Sequence, residues 1–598
     1  MDRFQSDTPK LLGKTWVPGE ASGEVLWTDM DLSFWGGVDP RTGVVIDKHH
    51  PLHGQTLSDR ILVLPGSRGS CTGSAVMLEL LLGGRAPRAL VLAGRDDVLM
   101  LGVLVAEAVF GKSIPVVSVG ASAFLALKQR PSLRVQAGEA PVPMPMPMPM
   151  PMPMPMPMPA QTDDAVIIAD SSHWSVVALG EGDLRMLQGT EGKAVRVAME
   201  IIVRMARAAG ATQLLDIRQG HIDGCIYTGP AGLAFARRLA SWDAKVKIPT
   251  TMNAISVDRC AWRAQGVPAT LGVPAEALAD AYVAMGVAPT YTCAPYHLPT
   301  APRFGEQIAW AESNAVVYAN SVIGARTAKY PDFLDIFIAL TGRAAAASSH
   351  LTQNRRAVLQ VDIDPPADHD DSFWPLLGYL VGVCAGRDVP VVNGLQAASP
   401  TLDALRAFGA AFATTSSAPM FHIAGVTPEA PDLAAALGGA EPNSTRRITV
   451  ADLRNAWRAF NKAERDQVEW VALGNPHFSA EEITALAERC AGRKKSDTVG
   501  ITVTTHGDVL RSAAIAGPVA ALRSFGVSFV VDTCWCVIQA PVFDPAVRTV
   551  MTNSGKYAHY GPGLVDRNVR FGSLADCVDA ACTGTFSTEP PLWLGQDA

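Results

Sequence analysis

The chain has 598 residues, 48% of them hydrophobic and 18% charged, with a net charge of -7; it is too long for a single core and too apolar for a disordered chain, so two to four domains are expected. The acidic balance and the lack of a long Lys/Arg run argue against a nucleic-acid partner. The polar start MDRFQSDTPKLLGK lacks a secretory core, and no run reaches the ~18 apolar residues of a membrane span, so a cytoplasmic protein with no membrane partner is expected; its 10 cysteines then read as thiols or metal ligands rather than disulfides.

In chain order, the stretches Gly-Glu-Val-Leu-Trp and Gly-Val-Val-Ile-Asp predict antiparallel β-structure. Arg60–Gly66, Ala89–Gly94 and Ile114–Gly120 predict buried strands alternating with helices, which implies parallel pairing. From Pro143 to Pro159 proline and methionine alternate, which removes half the backbone donors and predicts an extended spacer. Beyond it, Gly192–Ala211 has helical periodicity, and TQLLDI, KVKIPTT, AVLQVDI, PVVNGL and GVSFVVDTC predict strands. The expected division is a small domain at 1–142, a Met-Pro linker at 143–159 and a large α/β body of several subdomains at 160–598.

Several segments carry chemistry. The loop Gly66–Ser74, containing Arg68, Gly69, Ser70 and Cys71, leads from a strand into a helix N-terminus and favours an anion or an ionised serine oxygen. It lacks both the Walker lysine and the GxGxxG spacing; a plain strand-to-helix turn fits equally. Cys293, Cys534 and Cys577 lie in polar, turn-rich surroundings, where three thiolates from distant loops can hold iron and leave a position open; inert packing accounts for them as well. Thr250, Thr251, Asn253, Glu312, Ser313, Asn314, Asn320 and Lys556 fall in polar runs too dense for a core and suited to a small polar substrate. His221, after an apolar strand, suits proton transfer, substrate orientation or a structural hydrogen bond. His49, His50 and His53 read as surface.

Together, LPGSRGSCTGSAVMLELLLGGRAP, KIPTTMN, PTYTCAPYHL, GEQIAWAESNAVVYANSVIGARTAKYPDF, TNSGKYAHYGPG and FGSLADCVDAA resemble aconitase X, a branch of the aconitase superfamily. The resemblance covers nearly the whole chain. It implies a small swivelling β/α domain joined by the Pro/Met linker to a large aconitase-like catalytic domain. It further implies iron or iron–sulfur ligation by Cys293, Cys534 and Cys577, with [2Fe-2S] preferred over [4Fe-4S] or mononuclear iron. Ser70 falls where the family places its catalytic serine. The remaining polar residues fall in its active-site motifs.

The fused arrangement is similar to bacterial members that dehydrate cis-3-hydroxy-L-proline. The implied reaction is a hydro-lyase reaction giving Δ2-pyrroline-2-carboxylate, which tautomerises to the Δ1 imine. Ser70 would be the base, Lys556 and the Thr/Asn groups the carboxylate clamp, and iron the Lewis acid. Mevalonate 5-phosphate is the alternative substrate, with Arg68 and Arg326 as phosphate-binding candidates. A hydrolase with a Ser70 or Cys71 nucleophile and a non-catalytic iron-responsive protein are readings of other classes.

Overall fold

The computed structural model describes residues 10–138, 165–170, 173–463, 465–587 and 589–595. The N-terminal unit is a closed barrel of seven strands. Its order is Lys10–Val17, Val116–Ser118, Ala89–Leu92, Ile61–Leu64, Gly19–Trp27, Ser132–Ala137 and Val166–Asp170, the last pairing back with the first. The three central strands are parallel and buried on both faces, as their unbroken apolar runs require. Gly19–Trp27 runs antiparallel to Ser132–Ala137, whereas the stretch at 43–47 forms only isolated bridges.

The closing strand corrects the expected boundary. Val166–Asp170 lies beyond the Met-Pro repeat yet pairs in parallel with both Lys10–Val17 and Ser132–Ala137. The barrel therefore takes residues from both sides of the repeat, and the described passage into the large body starts at His173. The repeat itself, at 143–159, lies outside the described residues.

Three parallel sheets, with a two-stranded antiparallel pair of Arg343–Ala345 and Leu214–Asp216, build the large body. The first orders Thr250–Met252, Gly220–Ile222 and Ala309–Trp310. The second orders His422–Ile423, Pro390–Asn393, Leu359–Ile363 and Ser444–Ile448. The third orders Ser528–Val531, Gly500–Thr505, Trp470–Phe478, Thr549–Thr552 and Asn568–Phe571. In such sheets ligand groups gather beyond the carboxyl ends of the strands. Asp223 and Asn253 follow directly after two strands of the first sheet, Glu312 lies two residues past the third, and Ser554 and Lys556 follow Thr549–Thr552 in the third sheet.

The barrel docks on this body through polar contacts. The Glu79 carboxylate accepts from the Ala231 amide (2.8 Å) at the start of the helix Pro230–Ala240, where a negative charge meets the positive end of the helix dipole. Arg204 pairs with Glu107 at 2.6 Å, and Arg95 donates to the Ala208 carbonyl at 2.8 Å. Among the described residues no helix is long and apolar enough to cross a membrane.

The helix Leu402–Thr415 packs against both Ser313–Tyr318, which Glu312 caps, and Gly555–Leu564, which carries Lys556 in its first turn. It also lies tight on Phe373–Ala385: a Cβ at Gly378 would sit 2.2 Å from the Phe408 carbonyl oxygen. Gly378→Ala is expected to force these helices apart and to lower stability by about 1–3 kcal/mol, read as a lower denaturant midpoint. An unchanged midpoint would contradict the close packing.

Candidate active site

The site is a hydrogen-bonded network that crosses from the barrel to the body. The loop after Ile61–Leu64 turns at Gly69, whose φ of +80° is left-handed and whose missing Cβ leaves room for the Tyr560 hydroxyl, 2.4 Å from where that atom would lie. Ser70 follows. Its Oγ accepts from the Thr72 amide and donates to Thr72 Oγ1, both at 3.2 Å. Thr72 Oγ1 in turn donates to Asp223 Oδ2 at 3.3 Å, across the domain interface. Asn253 Nδ2 then bridges Asp223 Oδ1 and Glu312 Oε2.

Glu312 and Lys556 form the charged centre. Lys556 Nζ donates to Glu312 Oε1 at 2.9 Å, and both side chains are only 7% exposed. Glu312 caps its helix by accepting from the Asn314 amide and also accepts from Asn314 Nδ2 at 2.7 Å. Burial opposes its charge, but Lys556 and these donors hold the carboxyl below its usual range. Burial likewise opposes the ammonium, yet Glu312, then the thiols of Cys536, Cys534 and Cys293, hold it well above the ordinary lysine value.

Those thiols line the other side of the pair. Cys293 Sγ accepts from the His477 amide at 3.3 Å, and Cys536 Sγ accepts from Asn475 Nδ2 at 3.3 Å. A register shift in Trp470–Phe478 between Leu473 and Phe478 brings both donors here. A hydrogen bond from Cys534, against the cost of burial, lowers Cys536 to about 7 and raises Cys534. Burial pushes Cys293 up to about 12.

Cys577 does not join them. It is fully buried in the core of the third sheet with Leu473, Met551 and Val578, and its charged neighbours are Asp576 and Asp371. The helix Leu574–Thr583 directs it into the sheet rather than toward Lys556. The third thiol beside Cys293 and Cys534 is Cys536, whose signal in the sequence is its spacing of two from Cys534.

Other expected site residues divide. Thr251 Oγ1 meets His221 Nδ1 at 2.8 Å, and burial lowers that histidine to about 3, so it is neutral. Its Nε2 is buried, and the ring also faces the Thr292 backbone. Thr250 Oγ1 donates to the Ile248 carbonyl at 2.8 Å. Asn314 Nδ2 donates to the Cys293 carbonyl at 3.0 Å, and Ser313 is buried beside it. Asn320 is structural: it accepts from the Thr327 amide and Arg355 Nη1 and donates to the carbonyls of Thr327 and Pro419. Arg68 pairs with Asp47 at 3.2 Å. Cys71 is fully buried, and burial pushes its thiol well up. Of the three histidines read as surface, His49 and His53 are exposed, His49 stacking on His559 at 5.6 Å, whereas His50 is buried.

Two groups not singled out in the sequence belong here. Asp223, raised to about 8 by burial and by Glu312, sits at the middle of the network. Lys329, lowered to about 8 by burial, lies near Cys71 and Glu312 and donates to the Ser416 carbonyl at 2.8 Å.

Four domain signatures match in chain order: aconitase X swivel domain over residues 10–143, first domain over 176–353, second domain over 356–458 and third domain over 468–583. The chain belongs to the aconitase X family. It is 52% identical over 582 residues to cis-3-hydroxy-L-proline dehydratase of Hypocrea jecorina, covering 97% of this chain and 96% of that protein. It is 50% identical over 587 residues to the enzyme of the same name from Pseudomonas aeruginosa, covering 98% and 99%. The crystal structure of Thermococcus kodakaraensis aconitase X in its holo-form superposes with a TM-score of 0.61 at 28% identity, over 68% of this chain and all of that one.

The aconitase relationship points to an iron–sulfur cluster, and the donor chemistry here suits one. Three buried thiols adjoin a buried ammonium, and two of them receive N–H donors, which favour thiolates. Among the described residues no three His, Cys, Asp or Glu side chains already stand close enough to hold a single ion; the thiols are neighbours, not a finished cage.

Lys556→Met would leave the Glu312 carboxylate buried without its cation and is expected to cost about 3–5 kcal/mol, measured by denaturant unfolding. Adding Glu312→Gln should recover much of that loss. Strictly additive losses would show that the two groups are not coupled.

Proposed function

We propose that the protein is an iron-dependent hydro-lyase that dehydrates cis-3-hydroxy-L-proline to Δ2-pyrroline-2-carboxylate, which tautomerises to the Δ1 imine. The observation that carries this is the continuous network from Ser70, on the barrel, through Thr72, Asp223 and Asn253 to Glu312 and Lys556, on the body. Near-full-length identity to enzymes of that name supports the substrate.

Cys293, Cys534 and Cys536 would hold the cluster, for which we propose the [2Fe-2S] form. When bound, such a cluster with an open iron supplies a Lewis acid for a substrate hydroxyl. Ser70 takes the proton from C2. Lys556, Thr251 and the asparagines hold the carboxylate so that charge developing at C2 is stabilised by groups already in place. In the cis isomer the hydroxyl and carboxylate share one ring face, so the C2 hydrogen faces away from the hydroxyl. A base on the barrel and a Lewis acid on the body then permit anti elimination. Docking of the barrel buries the loop and excludes water.

The alternatives fare less well. A phosphate needs free cations, but Arg68 is paired with Asp47 and Arg326 donates to the His350 carbonyl and Thr352 Oγ1. A hydrolase needs an activated nucleophile, but Cys71 is buried with its thiol raised, and the hydroxyl of Ser70 donates to a threonine rather than to a histidine.

Iron-reconstituted protein, kept anaerobic, is expected to turn over cis-3-hydroxy-L-proline and to leave the trans isomer and mevalonate 5-phosphate untouched. Ser70→Ala should lower kcat by about 10²–10⁴-fold. Turnover of the mevalonate ester alone would overturn the substrate. For the ligands, Cys536→Ala should lose bound iron and its visible absorption, whereas Cys577→Ala should retain both; the reverse pattern would move the cluster to Cys577.

A further inference from the structure

Thr72 is the residue before the helix Gly73–Leu82, yet its side chain makes no cap to that helix. Its hydroxyl is used otherwise: it accepts from Ser70 Oγ and donates to Asp223. Asp332 lies against the Asp223 side chain; it is wholly buried, and among the described residues neither of its carboxylate oxygens receives a hydrogen from a donor. A buried carboxylate left so is costly, whereas a protonated carboxyl that donates to Asp223 is satisfied. The backbone holds Asp332 in place. Its amide donates to the Cys71 carbonyl at 3.3 Å, and its carbonyl accepts from Ser74 Oγ at 3.0 Å. Phe333 beside it has a φ of +82°, a strained value for a bulky side chain. Both partners of Asp332 are on the serine loop, so docking of the barrel assembles the whole chain of groups.

We propose that Asp223 and Asp332 share one proton and act, through the Thr72 hydroxyl, as the acceptor that lets Ser70 serve as the base. This rests on the reading of Ser70 given above. As the C2–H bond of the substrate breaks, its proton forms an O–H bond on Ser70. The Ser70 hydroxyl proton passes to Thr72 Oγ1, and the Thr72 proton passes to Asp223 Oδ2. The electron pair left on carbon forms the C2=C3 double bond as hydroxide leaves C3. The aspartate pair then holds two protons, and one is released to restore it, so that the substrate has lost one water in total. Thr72, Asp223 and Asp332 are positioning residues acting through Ser70.

The charged and titratable groups facing Asp223 are Glu312, Asp332, Asp335, Lys556, Cys71 and Cys225. The acids and burial favour its protonated form, while Asn253 and Lys556 oppose it. Because the pair must offer an unprotonated oxygen, kcat should rise with pH through its titration, near pH 8.

The test compares Thr72→Val, Thr72→Ser and Asp332→Asn in reconstituted holoenzyme. Thr72→Val keeps shape but breaks the chain and should lower kcat by about 10²-fold or more, with Thr72→Ser restoring most of it. Asp332→Asn puts an amide donor against Asp223 and removes an acid, so the rising limb should move to lower pH; a merely structural loss would lower the rate without moving the limb. Infrared spectra should show a protonated-carboxyl band in wild type that weakens in Asp332→Asn. Wild-type kcat in Thr72→Val, an unmoved limb in Asp332→Asn, or the absence of that band would overturn the proposal. Wild-type protein unable to turn over any hydroxyproline would instead sink the dehydratase reading. The infrared band needs no turnover and would still decide whether the pair shares a proton.

Discussion

Everything near the site is arranged around one buried ion pair. Lys556 and Glu312 come from different sheets, 244 residues apart in sequence, and each is nearly sealed from water. A lone charge in such a place would be prohibitively costly, so each requires the other. The pair thereby fixes where the first and third sheets meet. Thiols on one side raise the demand for the ammonium, and amide donors on the other side satisfy the carboxylate. Asn253 ties this centre to Asp223 and so to the barrel.

The fold delivers these groups by a single device repeated. Parallel strands end together, and polar residues placed just past their ends converge in one crevice. Asp223, Asn253 and Glu312 arrive this way from three adjacent strands. The barrel supplies the missing face, its Ser70 loop held against the Asp332 backbone. In the proposed reaction this division has a stereochemical purpose, because a base and a Lewis acid must address opposite faces of one ring. Family membership fixes the frame for that reading, and the proposed parts follow the network within it.

Much of the frame was legible in the sequence. Short apolar runs such as Ile61–Leu64 and Ala89–Leu92 are buried on both faces and declare themselves by composition. The polar motifs around Asn253, Glu312 and Lys556 stood out because cores do not hold such residues without a reason. What was hidden depended on side-chain direction and on contacts distant in sequence. Cys577 and Cys536 look alike as letters, but one lies on a helix face turned into a sheet and the other follows a strand end. Asn320 sits within a persuasive motif and yet serves backbone carbonyls. The barrel boundary was obscured by the Met-Pro repeat, because a spacer by composition need not separate domains; pairing of Val166–Asp170 across it is a long-range fact. Asp223 lay in plain view next to His221, but its role needs Thr72, 151 residues away.

The most direct test of the account is a crystal structure of anaerobically reconstituted Ser70→Ala protein with cis-3-hydroxy-L-proline, phased with the anomalous signal of iron. The account predicts iron beside Cys293, Cys534 and Cys536, the carboxylate near Lys556, and C2 of the ligand turned toward residue 70 on the face opposite the hydroxyl. Iron at Cys577, or a ligand whose C2 hydrogen and hydroxyl both face the body, would contradict it.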